Sequence, residues 1–201
     1  MSITKLQDAP ITIGTPVEIE NACNQIRLLL AGLTWVDYPY FIAQRFYRKE
    51  NQRAFFYPET YAVDANTPEG KYDYHRLTPD NDYEGMFFFY VGDGTLVNFE
   101  KYQYNFIQYP VAIIFSVNLQ KIDPVKLELG LFTQELISEA RGVLTRGIAG
   151  LNFQIQIVRE SRDLKTVYRE FVLDEIEQYN RAPIQCFRFD LLVTIQEVCE
   201  P

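Results

Sequence analysis

Few residue types in this chain invite chemistry, and each stands alone. His75 is the only histidine. It lies in "KYDYHRLTPDND", with no serine or cysteine nearby in sequence for it to activate. Catalytic partners can be distant in a chain, so spacing alone does not exclude them, but a lone loop histidine reads as a surface or interface residue. Asp80, Asp82, Glu84 and Gly85 match positions 1, 3, 5 and 6 of a calcium-binding loop. Position 12 is then Val91, where a bidentate glutamate is needed, so the segment reads as a turn before a strand. Gly92 and Gly94 in "VGDGT" suggest a phosphate cradle, yet there is no G-x-G-x-x-G, no Walker lysine and no following helix whose N-terminus would face the phosphates. With β-prone runs on both sides, Gly92-Asp93-Gly94 reads as the bend of a hairpin.

Cysteine and carboxylate patterns add little. Cys23, Cys186 and Cys199 are isolated in apolar settings, which favours buried thiols over a disulfide framework or a zinc site. Glu175 with Glu177, and Glu197 with Glu200, could be drawn as acid and base. Nothing around them raises a pKa, and a solvated face explains them. The sequence therefore predicts no catalytic residue, no metal site and no cofactor.

The totals set the frame. At 201 residues, 47% hydrophobic and 23% charged, the chain fits a single globular domain. No apolar run approaches the ~18 residues that cross a bilayer, and the N-terminus lacks the pattern of a secretory signal. The formal net charge of −8 argues against a module that binds nucleic acid by neutralising phosphates. Division at Tyr38 and Pro110 leaves every third of the chain acidic, which predicts no basic block.

The elements that must position any site are clearest at the two ends. "TPVEIENACNQIRLLLAGL" carries an N-cap at Thr15, Pro16 in the first turn and an apolar stripe from Ile19 to Leu33. "DPVKLELGLFTQELISEARGVLTRG" repeats the signals, so a helix is expected from Pro124, with Leu127, Leu131, Leu136, Ala140, Val143 and Leu144 inward and Gly147 as its stop. "VAIIFSVNL" reads as a central strand covered on both faces. "FQIQIV" and "CFRFDLLVTIQEV" alternate as strands with one face against helices. In "SRDLKTVYREFVLDEIEQYNRAP" a third helix is preferred, with "VYREFVL" as a strand the alternative.

Residues 38–109 differ in character. They hold twelve of 14 tyrosines and nine of 15 phenylalanines, punctuated by Pro, Gly, Asn and Asp. Short strands and turns fit them best, as a β-rich arm inserted into the domain. So many aromatics left wet would invite aggregation, so burial between subunits is expected. The "FFFY" run is apolar on both faces; it must be an inner strand or a ribbon gripped by neighbours. Phe87, Phe88, Phe89, Tyr90, Tyr102, Tyr104 and Phe106 are the predicted interface anchors.

Capped helix, aromatic β-rich insertion, apolar strand, long helix and C-terminal strands, in that order, resemble the tail-terminator and head–tail connector (neck ring) proteins of tailed phages. "IDPVKLELGLF" and "RFDLLVTIQEV" carry the likeness most directly. The resemblance implies an α+β fold with a mixed or mainly antiparallel sheet packed by two or three helices. It also implies a homo-oligomeric ring in the virion, with neck, portal or tail-tube proteins as partners and a DNA channel that is not read by sequence. A cap protein of a contractile injection system shares this architecture. The rival is a carbohydrate or small-molecule binding module, or an enzyme, that uses the aromatic segment as a cleft.

Overall fold

The computed structural model describes residues 7–8, 18–50, 52–63, 72–98, 105–146, 153–173 and 176–196. In chain order the elements are β1 (Gln7–Asp8), α1 (Glu18–Leu30), β2 (Tyr38–Ile42), β3 (Gln44–Glu50), β4 (Arg53–Val63), β5 (Tyr72–Arg76), β6 (Gly85–Val91), β7 (Thr95–Asn98), β8 (Asn105–Asn118), α2 (Leu119–Ile122), a 3-10 turn (Lys126–Glu128), α3 (Phe132–Arg146), β9 (Phe153–Ser161), α4 (Leu164–Val167), a second 3-10 turn (Ile176–Asn180) and β10 (Ile184–Gln196). The class is α+β. A six-stranded sheet runs β2-β6-β8-β10-β9, with β7 also on β8, and only the β2–β6 pair is parallel. A smaller antiparallel sheet places β4 between β3 and β5, with β1 on β4.

Register explains why the central strands are apolar on both faces. Phe87, Phe115 and Phe187 lie opposite one another across β6, β8 and β10, as do Phe89, Ile113 and Phe189 one step on. These rows meet α1 through Ile19, Ala22, Cys23, Ile26 and Leu30, and α3 through Phe132, Leu136, Ala140 and Leu144. The Phe115 and Phe187 rings stack at 4.7 Å, and Phe87 lies 5.1 Å from Phe115. Trp35 closes this core, and its indole N–H donates to Glu139 on α3 at 2.9 Å. The opposite face carries Met86, Phe88, Ile114 and Cys186, covered by Tyr38, Tyr57, Val167, Tyr168 and Phe171. One strand thus walls two cores, and a Phe buried in such a site contributes roughly 1.5–3 kcal/mol.

Four expectations change. First, residues 38–109 are not one inserted arm. β3, β4 and β5 form the small sheet, whereas β2 and β6 are strands of the main one. Second, Gly92-Asp93-Gly94 is not a hairpin bend. β6 and β7 run in the same direction along β8, Val91 opposite Val111 and Thr95 opposite Gln108. The two strands form one interrupted line along β8 with an extra residue, a bulge in effect. A Cβ on Gly92 would meet Pro110 Cγ at 2.9 Å, and one on Gly94 would meet Tyr109 Cε1 at 2.6 Å. The glycines permit close approach to the neighbouring strand, and the chain reverses only after Asn98, which pairs with Asn105.

Third, the long helix begins at Phe132, not Pro124. Asp123 ends α2 and accepts hydrogen bonds from the backbone N–H groups of Val125 and Lys126, which turns the chain into a short 3-10 turn. The break at Leu129-Gly130 then leaves Leu131 73% exposed instead of inward. Fourth, the described residues of 161–183 hold only one helical turn at α4 and the second 3-10 turn. Val172 instead forms an isolated antiparallel bridge with Phe56, which ties this segment to the small sheet. Thr15, Pro16, Gly147 and Cys199 lie outside the described residues.

Candidate interaction surfaces

The aromatic anchors expected from sequence separate sharply. Phe87, Phe88 and Phe89 are all 0% exposed within a single chain. They are core residues of an inner strand, not interface anchors. Tyr90 is half-buried at a groove edge, its ring 5.8 Å from Phe171. Phe106 is half-buried at the start of β8, opposite Val97 and Gln196. Tyr102 and Tyr104 lie outside the described residues.

The groove beside Tyr90 has a volume of about 370 Å³ and is walled by Pro110, Ala112, Val158, Arg169 and Asp190. Its base holds an ionic cluster that the alternation of β10 concealed. Arg188 alternates with Phe187 and Phe189 along the strand, yet it is 2% exposed in the row of Phe88 and Ile114. Its guanidinium donates to Glu170 at 2.5 and 2.6 Å, to Asp190 at 2.6 Å and to the Val167 carbonyl at 3.0 Å. Arg169 also donates to Glu170 and Asp190. Burial opposes ionisation of Glu170, but the Arg188 hydrogen bonds and charge outweigh it and hold the carboxyl below its ordinary range. Two cations and two carboxylates neutralise each other, so the cluster ties β10 to the α4 segment and leaves no free acid or base.

The other chemical candidates behave as isolated groups. Burial pushes the Cys23 thiol up to about 12, reinforced by Glu20, and does the same to Cys186. Neither forms the thiolate that reacts. Among the described residues no three His, Cys, Asp or Glu side chains group to hold a metal ion. In the calcium-like segment, Asp80 Oδ1 accepts from the Asp82 N–H, and the Glu84 N–H donates to Asp37 ahead of β2; the carboxylates of Asp80 and Asp37 hold the turn. His75 sits on β5 opposite Thr60, its Nε2 buried and without a hydrogen-bond partner among the described residues. Among the described residues no helix is long and apolar enough to cross a membrane.

The small sheet has an exposed face. Tyr47, Phe56 and Val172 stand opposite one another across β3, β4 and the bridging residue. Tyr47 is 58% and Val172 49% exposed, and the Tyr47 and Phe56 rings meet edge-on at 5.5 Å. The Arg45 guanidinium lies over Phe56 at 4.9 Å. Residues 44–53 carry Arg45, Arg48, Lys49 and Arg53 against the single carboxylate Glu50. Averaging charge over a third of the chain hid this basic hairpin. No protein-family model matches the chain, and no characterised protein matches it in sequence.

Proposed function

We propose that the chain is a structural, non-enzymatic subunit that assembles into a homo-oligomeric ring at the head–tail junction or tail end of a tailed-phage virion, where it joins adjacent rings. The observation that carries the reading is the row of Tyr47, Phe56 and Val172. It is an aromatic and apolar strip on the open face of a sheet, outside the core of its own chain. Surfaces of this composition are what protein interfaces favour. The order of α1, a β-rich excursion, the apolar β8, the long α3 and the strands β9 and β10 supports it further. So does the mutual neutralisation of the Arg188 cluster, which spends its charges on holding segments together. Tyr90 and Phe106 remain contact candidates.

Native mass spectrometry and light scattering over a concentration series, alone and with candidate neck or tail-tube proteins, test the proposal. A closed oligomer of fixed number, or a defined complex with one of those proteins, is expected. A chain that stays monomeric up to its solubility limit and binds none of them overturns it.

A further inference from the structure

We infer that the basic, aromatic face of the β3–β4 hairpin is one half of a head-to-tail contact, and that its occupant is the acidic loop 78–84 of a second copy of this chain. The inference rests on the ring reading and specifies the contact that would build it.

The argument is one of segregated charge. The whole chain has a net charge of −8, yet residues 44–53 are positive. Within the hairpin Arg48 is engaged by the buried Glu59 at 2.5 Å. Arg45 and Lys49 form no ion pair among the described residues; both are exposed and share the face of Tyr47 and Phe56. A charged pair flanking an exposed ring, with no counter-charge of its own, is a surface that binds a carboxylate-bearing partner.

This chain supplies such a partner. Asp37, Asp80, Asp82 and Glu84 converge where β2 and β6 begin, and the first three all bear on Tyr38. None of them forms an ion pair with a cation among the described residues, and Asp80 and Asp82 are exposed. Half-buried Tyr40, stacked on the buried Tyr38, lies next to them, so this patch too sets an aromatic ring beside its charges. The loop leaves the small sheet beside Pro58, where the Leu77 N–H donates to the Pro58 carbonyl. Lys49 lies opposite Ala54, four residues along β4 from Pro58, or about 13 Å. Arg45 lies opposite Pro58 itself, with its guanidinium over Phe56, so it is Lys49 at the tip that stands apart from the carboxylates on one molecule. Two different complementary patches on identical chains make a heterologous contact, which propagates and closes into a ring when the rotation allows. A nucleic-acid strand would also use cations and exposed rings, but the acidic remainder of the surface repels phosphates, so the second copy is the better fit.

Two charge-reversed variants test this: R45E/K49E on the hairpin, and N81K/D82K/E84K on the loop, which makes residues 78–84 net positive and keeps the Asp80 turn intact. Self-association is read by sedimentation at several salt concentrations, and Trp35 fluorescence confirms that each variant is folded. Each variant alone should lose at least about tenfold in association, because like charges are then brought together. An equimolar mixture should recover it, since each variant retains the half that the other has inverted. Salt should weaken assembly of the wild-type chain. A wild-type chain that stays monomeric overturns the ring reading together with this contact. A wild-type chain that assembles while both variants assemble equally well overturns this contact alone. Salt-sensitive binding to a labelled single-stranded oligonucleotide, lost in R45E/K49E with self-association unchanged, overturns it in favour of nucleic acid.

Discussion

Replacing Arg188 by methionine isolates the worth of the buried ionic cluster. Methionine keeps much of the apolar length of the arginine stem, so the loss is mainly electrostatic. Glu170 and Asp190, whose side chains are only 15% and 14% exposed, are left with Arg169 as their one cation. Removing one partner of a buried pair costs about 3–5 kcal/mol, because the remaining charge keeps its desolvation penalty. Arg169 persists and the adjoining groove admits water, so the lower end, ~3 kcal/mol, is expected here. For a chain of this size that corresponds to a fall in Tm of roughly 6–12 °C. Denaturant unfolding at pH 7, followed through the fluorescence of the single tryptophan, Trp35, measures it. Adding Glu170→Gln should return about 1–2 kcal/mol, the signature of coupled groups. The pH dependence has a fixed sign. The Glu170 carboxyl is held below its ordinary value of 4.5 in the folded state. Its contribution is therefore complete above that value and fades as pH falls through the folded pKa. The gap between wild type and R188M should narrow below about pH 4. A gap under ~1 kcal/mol at pH 7, or one of equal size at pH 3, refutes the reasoning.

Two further outcomes follow from close contacts and buried thiols. Gly94→Val should cost about 1–3 kcal/mol, because its side chain must enter the space of Tyr109 and Ile107. Gly130→Ala, with no atom within 4 Å of the added carbon, should stabilise by about 0.4–1 kcal/mol; thermal melts of the pair separate steric from backbone-entropy effects. In a Cys199→Ser background, Cys23 and Cys186 should react with an aromatic disulfide reagent at pH 8 no faster than the chain unfolds. A fast phase in the native protein would show that one thiol is reachable.

What could be read from the sequence was what a single element decides for itself. The stripe of α1, the two-faced apolarity of β8 and the alternation of β9 and β10 depend on local spacing, and these elements form where expected. The errors came where a partner elsewhere in the chain decides. Asp123 and Pro124 do begin a helical turn, but Leu129-Gly130 ends it before the long helix starts. The glycines of "VGDGT" signal a bend only if the next strand folds back. Here the groups that need room are Pro110 and Tyr109 on β8. Phe87, Phe88 and Phe89 looked like an excess needing another subunit, because nothing local reveals that α1 and α3 cover one face and the small sheet with the α4 segment the other. The burial of Arg188 could not be read because alternation gives the side of the sheet but not what lies against it. The basic hairpin was legible throughout, at a window of ten residues.

The place of β10 has a consequence for synthesis. It is the last strand in chain order among the described residues, yet it lies inside the main sheet, between β8 and β9. Until residues 184–196 have left the ribosome, the apolar edge of β8 has no strand beside it on that side, and β9 has no neighbour within its own sheet. The Phe187 ring that completes the stacked aromatic row is absent for the same interval. The nascent chain therefore carries an open, strongly apolar sheet edge from the synthesis of β8 until that of β10, the kind of surface that associates with other chains or recruits a chaperone. A chain truncated before Ile184 should expose that edge permanently and aggregate.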